Sequence, residues 1–182
     1  MINDYEATQP ITADAVTYSN SNSAATNDEV IATLNGLIQT CKDGEEGYRQ
    51  AAEGVEAANL KTLFQDLSHQ RLRFAVDLQG FVRTYGGDPE NEGSFSGALH
   101  RGWMEIKAAV AGNDEKAILN ECERGEDTAK RNYQTAFEKA LPPEINEVLR
   151  TQFASVRAAH DQIKALRDAA NNSASNTART GF

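Results

Sequence analysis

Apolar residues recur three and four positions apart through four long stretches of this chain, and that spacing restricts it to amphipathic helices packed on one another. The first stretch carries Val30, Leu34, Leu37, Cys41, Tyr48, Ala52 and Val55. It opens on Thr26-Asn27-Asp28-Glu29, a capping box in which Thr26 bonds the backbone three residues on and Glu29 reaches back. The second carries Leu60, Leu63, Leu67, Phe74, Leu78, Phe81 and Tyr85, and stops at Gly86-Gly87-Asp88-Pro89. The third has Ile118, Cys122, Ala129, Tyr133 and Phe137 and ends at Leu141-Pro142-Pro143. The fourth starts on Pro143, a residue suited to a first helical turn, with Ile145, Leu149, Phe153, Val156, Ile163 and Leu166 on its stripe.

Loop lengths then set the connectivity. The first and last connections are short, whereas the middle one, 87–113, is about 27 residues long. Its second part spaces Phe95, Leu99, Trp103, Ile106 and Val110 helically, so it holds a short amphipathic helix closed by Gly112-Asn113-Asp114. Two antiparallel hairpins joined by a long crossover are the ferritin-like connectivity. The expected fold is therefore all-α, a ferritin-like four-helix bundle over residues 27–170. An internal echo agrees with duplicated hairpins: CKDGEE and CERGED align Cys41 with Cys122, Gly44 with Gly125 and Glu45 with Glu126, each 81 positions apart.

Residues 1–26 and 171–182 are rich in Ser, Asn and Thr without periodicity and read as disordered polar tails. Of the net charge of −9, −7 belongs to residues 27–170, a balance that repels DNA, RNA and anionic lipid. No run of 18 apolar residues exists to span a membrane, and the N-terminus has no secretory signal pattern, so the expected compartment is the cytoplasm. Cys41 and Cys122 lack metal spacing and read as buried thiols. No P-loop, GxSxG, GxGxxG or HExxH is present.

Chemistry in a helical bundle comes from polar groups on the apolar stripes. Glu45 and Glu126 lie on theirs, Gln70 and Arg71 fill the gap between Leu67 and Phe74, and His160 lies between Val156 and Ile163. Counting back from the loops places all five near mid-height at 1.5 Å per residue. A di-metal carboxylate site needs two lone Glu and two Glu-x-x-His pairs. Here Arg157 stands where the second acid belongs, and Asp66-x-x-His69 points off the stripe to the surface. Two readings follow. In one, Arg71 pairs with Glu45 or Glu126 and His160 bonds the other acid, a closed network. In the other, Glu45, Glu126 and His160 hold one iron or manganese ion. Asp43, Glu46, Glu53, Glu56 and Glu123 are expected on the solvated face, with His69 and His100 exposed. Phe95 and Trp103 are expected to pack the crossover helix onto the bundle.

The strings LIQTCKDGEEGYRQAAE, ALHRGW followed by IK, NECERGED and LPPEI, in this order, resemble a bacterial family of ferritin-like four-helix-bundle proteins of unknown function. The resemblance covers about 28–169. It implies a ferritin-like fold without an established activity, and more distantly a likeness to stress-associated ferritin-like proteins. The expected function is a non-enzymatic binding or structural protein linked to stress or metal homeostasis, with a buried polar layer. The alternative is a metal-dependent redox protein using Glu45, Glu126 and His160, with Tyr48 or Tyr133 as an electron relay. Neither nucleic acid nor membrane is an expected partner, and a homo-oligomer stays open.

Overall fold

The structure, a computed structural model, describes residues 24–89, 106–112 and 114–179, with side chains through residue 172. Four long helices, α1 (Asn27–Gly54), α2 (Ala58–Thr84), α4 (Glu115–Phe137) and α5 (Pro143–Arg179), are joined by a short helix α3 at 106–111. Among the described residues there is no strand.

The helix ends follow from local chemistry. Thr26 accepts from the Glu29 N–H at 3.3 Å, and the Glu29 carboxylate accepts from the Thr26 N–H at 2.8 Å, so both halves of the capping box form. Gly86 ends α2 at φ 84°, which a residue without Cβ adopts freely, and the Gly87 N–H then closes on the Val82 carbonyl at 2.9 Å. Asp114 caps α4 by accepting from the Ala117 N–H at 3.1 Å. The fourth long helix departs from expectation: α5 runs to Arg179 instead of ending near 170. The polar run after Ala170 contains no Gly or Pro before Gly181, so nothing in it breaks the ladder.

Contacts fix the packing order. α1 packs on α2 and α4, and α5 packs on α4 and lightly on α2. Gly44 lies against Arg71 and Gly87 against Ile31, so α1 and α2 run antiparallel. Tyr48 meets Glu126 and Cys41 meets Tyr133, which makes α1 and α4 antiparallel as well. Tyr133 with Gln152, and Lys130 with His160, set the same sense for α4 and α5. Phe74 with Gln152 and Tyr85 with Glu144 set it for α2 and α5.

Helix α3 rides close on α1 because α1 offers it glycines. A Cβ at Gly54 would stand 2.7 Å from Val110, and one at Gly47 would stand 3.1 Å from Ile106. Phe95, Leu99, His100 and Trp103, the other crossover residues singled out from the sequence, lie outside the described residues.

The apolar interior is divided. One cluster joins Val30, Leu34 and Leu78 with Tyr133, Ile145 and Leu149; the other joins Tyr48, Ala51 and Phe64 with Ile118 and Ile163. Truncating a buried residue of either, such as Leu34 or Phe64, costs about 2–5 kcal/mol. Between the two clusters, at mid-height, lies a charged layer.

Candidate functional site

Arg71 on α2 and Glu126 on α4 are 2% and 3% exposed, and their side chains meet with Nη2 2.5 Å from Oε1. Tyr48 on α1 donates its hydroxyl to the same Oε1 at 2.5 Å. Three helices thus converge on one carboxylate oxygen. Arg71 reaches α4 by passing α1 at Gly44, where an added Cβ would stand 3.3 Å from Cγ and 3.4 Å from Cδ. Its guanidinium carbon also lies 5.6 Å from the Phe74 ring centroid, a cation–π distance. Buried charge is tolerated only when paired and hydrogen-bonded, and this pair has both.

A second buried relay lies next to it. The Tyr133 hydroxyl donates to Gln152 Oε1 at 2.8 Å and sits 3.4 Å from Cys41 Sγ, and the Gln152 amide donates to the Phe74 carbonyl at 3.4 Å. Asn132 donates to Thr40 Oγ1 at 2.8 Å, and Thr40 in turn donates to the Gly36 carbonyl. These bonds satisfy polar groups inside an apolar seam, as burial requires.

Electrostatics freeze the layer's protons near neutral pH. Burial, then the Glu126 charge, pushes the Tyr48 phenol well above its ordinary value of 10. Burial pushes the Cys41 thiol up to about 11 and raises Cys122 and Tyr133 as well. Burial opposes the Arg71 charge, but the Glu126 carboxylate overrides it and holds the guanidinium above its usual value. The layer therefore offers a fixed ion pair and protonated phenols and thiols. It offers neither a thiolate nor a phenolate nucleophile.

The five residues expected at mid-height are there at the right heights, but they do not form one cluster. Glu45 is half-buried, and its backbone carbonyl, not its carboxylate, accepts from Ser68 Oγ at 2.9 Å. Gln70 is half-buried, and its Oε1 has no hydrogen-bond partner among the described residues. His160, 8% exposed, turns to the α4–α5 seam: Nε2 lies 3.2 Å from both Asp127 Oδ1 and Lys130 Nζ, and Nδ1 lies 2.9 Å from Asp161 Oδ1. No hydrogen bond or ion pair among the described residues joins it to Glu45 or Glu126. Arg71 therefore pairs with Glu126 as one reading expected, but His160 bonds neither acid of the layer and belongs to a separate edge cluster.

These residues do not fit an iron or manganese ion. Among the described residues no three His, Cys, Asp or Glu side chains converge as a metal would need. Glu126 Oε2 and Arg71 Nη1 are buried without a partner among the described residues. A cation placed beside Arg71 would meet like charge.

Three assignments made from the sequence, Glu123, Glu46 and Asp43, need correction. Glu123, expected in solvent, is buried and ion-paired with Arg167, because α5 lies over that part of α4. Glu46 is half-buried and held by Arg49 and Gln50. Glu53, Glu56, Asp66 and His69 are exposed, and Asp43 is half-buried. Gly44 had no sequence signal beyond its echo at Gly125, and Tyr48 was legible as a stripe residue and a candidate relay but not as a donor to Glu126.

A comparison with curated proteins finds no match to this chain. Among protein families, residues 29–139 match one described as a domain of unknown function, DUF2383. The matched segment takes in Tyr48, Arg71 and Glu126 but ends before Gln152 and His160. It covers more than half of the sequence, so the chain belongs to the DUF2383 family.

Proposed function

We propose that this chain is a ferritin-like four-helix bundle in which a charge network has taken the place of a metal centre, and that it works as a binding or structural protein, not as an oxidase. The observation that carries the reading is the Arg71 guanidinium on Glu126 at 2.5 Å, with Tyr48 closing the same oxygen. A permanent cation at the middle of the layer does the neutralising that a bound metal would otherwise do. Support for the fold comes from the antiparallel order of neighbouring helices and the long connection from α2 to α4. A role in stress or metal homeostasis is the part of the proposal that rests on the family resemblance alone.

Elemental analysis of untagged protein, followed by Fe(II) and Mn(II) titration of the chelator-treated form, tests the reading. The expected result is no stoichiometric metal and no saturable binding in the micromolar range. About one equivalent, lost in Glu126→Ala and Glu45→Ala variants, would overturn it in favour of a metal-dependent redox protein.

A further inference from the structure

The outer groove between the end of α4 and the first half of α5 holds a pocket of about 470 Å³, lined by Phe137, Asn146, Arg150, Phe153, Ala154 and Arg157. Five of these six fall on one face of α5, at intervals of three and four residues. The size lies within the range of small-molecule sites.

The charges of the lining run against the rest of the chain. The protein carries −9, yet the ionisable side chains lining this pocket are two arginines. Of the acids nearby, Asp161 pairs with His160, and Asp127 with His160 and Lys130, whereas Glu147, three residues before Arg150, is exposed and lies outside the pocket lining. Arg150 and Arg157 are both exposed and have no ion pair among the described residues. Asp161 acts on the Arg157 charge from one turn further on, but its carboxylate accepts from the His160 ring.

Between the two cations lies an aromatic floor. Phe137 and Phe153 are half-buried and meet edge to face at 5.5 Å, and Phe153 also stacks on the buried Tyr133 at 6.2 Å. The floor is therefore held in place before any ligand arrives. Asn146 is fixed too, since its amide donates to the Leu141 carbonyl at 2.8 Å, which leaves its carbonyl oxygen as an acceptor. Arg150 and Arg157 are separated by about 10.5 Å of helical rise, with Phe153 between them.

We propose that this groove is a binding site for a small organic anion: a carboxylate or phosphate ester held by the Arg150 and Arg157 forks, with an apolar body laid on Phe153 and Phe137. Guanidinium forks match the two oxygens of such a group, and the partly desolvated rings exclude water from beside them. The proposal goes beyond the metal-free reading of the interior. The pocket lies outside the Arg71–Glu126 layer, so a metal found in that layer would leave this site standing.

Phenyl phosphate, inorganic phosphate and benzyl alcohol separate the anionic from the apolar contribution. Each is titrated into the full chain and followed by calorimetry and by shifts of the arginine Nε and phenylalanine ring resonances. The expected result is one phenyl phosphate per chain, with inorganic phosphate and benzyl alcohol each weaker by at least about tenfold. Arg150→Glu and Arg157→Glu should each weaken phenyl phosphate by at least about tenfold, with an unchanged circular dichroism spectrum, because both side chains are exposed. Phe153→Leu should weaken phenyl phosphate but not inorganic phosphate. Absence of saturable phenyl phosphate binding, or binding indifferent to both charge reversals, overturns the proposal. Equal binding of inorganic phosphate overturns it too, since the apolar floor would then contribute nothing.

Discussion

Glu45 and Glu126 occupy matched places in two stretches that share a Cys, a Gly and a Glu, yet the Glu45 side chain is half-buried with no part in the ion pair, and Glu126 is its centre. The difference lies three residues on and two helices away. Tyr48 follows Glu45, and at the equivalent place after Glu126 stands Ala129, so the phenol that bonds the Glu126 carboxylate comes from α1. Tyr48 points at Glu126, and Arg71 comes across Gly44 to the same oxygen. A repeated local sequence therefore does not repeat its chemistry. What a carboxylate becomes inside a helical protein is set by which donors the neighbouring helices bring to it.

The comparison breaks most visibly under truncation. Arg71→Ala or Glu126→Ala strands a buried charge and should cost about 3–5 kcal/mol in urea unfolding. Glu45→Ala should cost only about 0.5 kcal/mol, because the bond recorded for Glu45 uses its backbone carbonyl, which the substitution keeps. Similar losses at both glutamates would remove the asymmetry.

Alkaline pH probes the same interior through its protons. Cys41 titrates near 11 in the folded protein against about 9 when exposed, and Tyr48, Tyr133 and Cys122 are shifted in the same direction. Above pH 9 the unfolded chain releases protons that the folded one keeps. Stability is therefore full below about pH 9 and falls as pH rises toward 11, by up to about 1.4 kcal/mol per pH unit for each group. Urea midpoints at pH 8 and pH 10.5 measure the fall, and a Cys41→Ala variant should show a shallower one.

Tyr48→Phe leaves Glu126 with Arg71 alone and should cost about 1–3 kcal/mol. The smallest effect is the most discriminating. Gly125 has open space where a Cβ would go, so Gly125→Ala should stabilise by about 1 kcal/mol through helix propensity. Gly44→Ala places its methyl 3.3 Å from the Arg71 stem and should lose that gain or reverse it. Equal stabilisation by both would mean that Arg71 does not need the clearance.

Helices, caps and heights were legible in the sequence because they depend on periodicity and on a fixed rise per residue. Thr26 with Glu29, Pro143 at the start of α5 and the register that sets Gly44 against Arg71 all follow from counting. Direction around the helix was less legible. His160 sits at the expected height but turns to Asp127, Lys130 and Asp161, because charged partners line that seam. Glu123 looked solvated because its cover, Arg167, lies on another helix. Gly44 was invisible for the same reason: the atom it admits belongs to α2.

Arg71 and Glu126 are buried as a pair, and a double replacement separates that dependence from two independent contributions. Urea unfolding of Arg71→Met, Glu126→Leu and the combined variant gives the coupling between the two sites. Each single change should cost about 3–5 kcal/mol, and the double variant should recover most of that loss, since neither buried charge is then stranded. Losses that simply add would show the two side chains to be independent, with no buried pair between them.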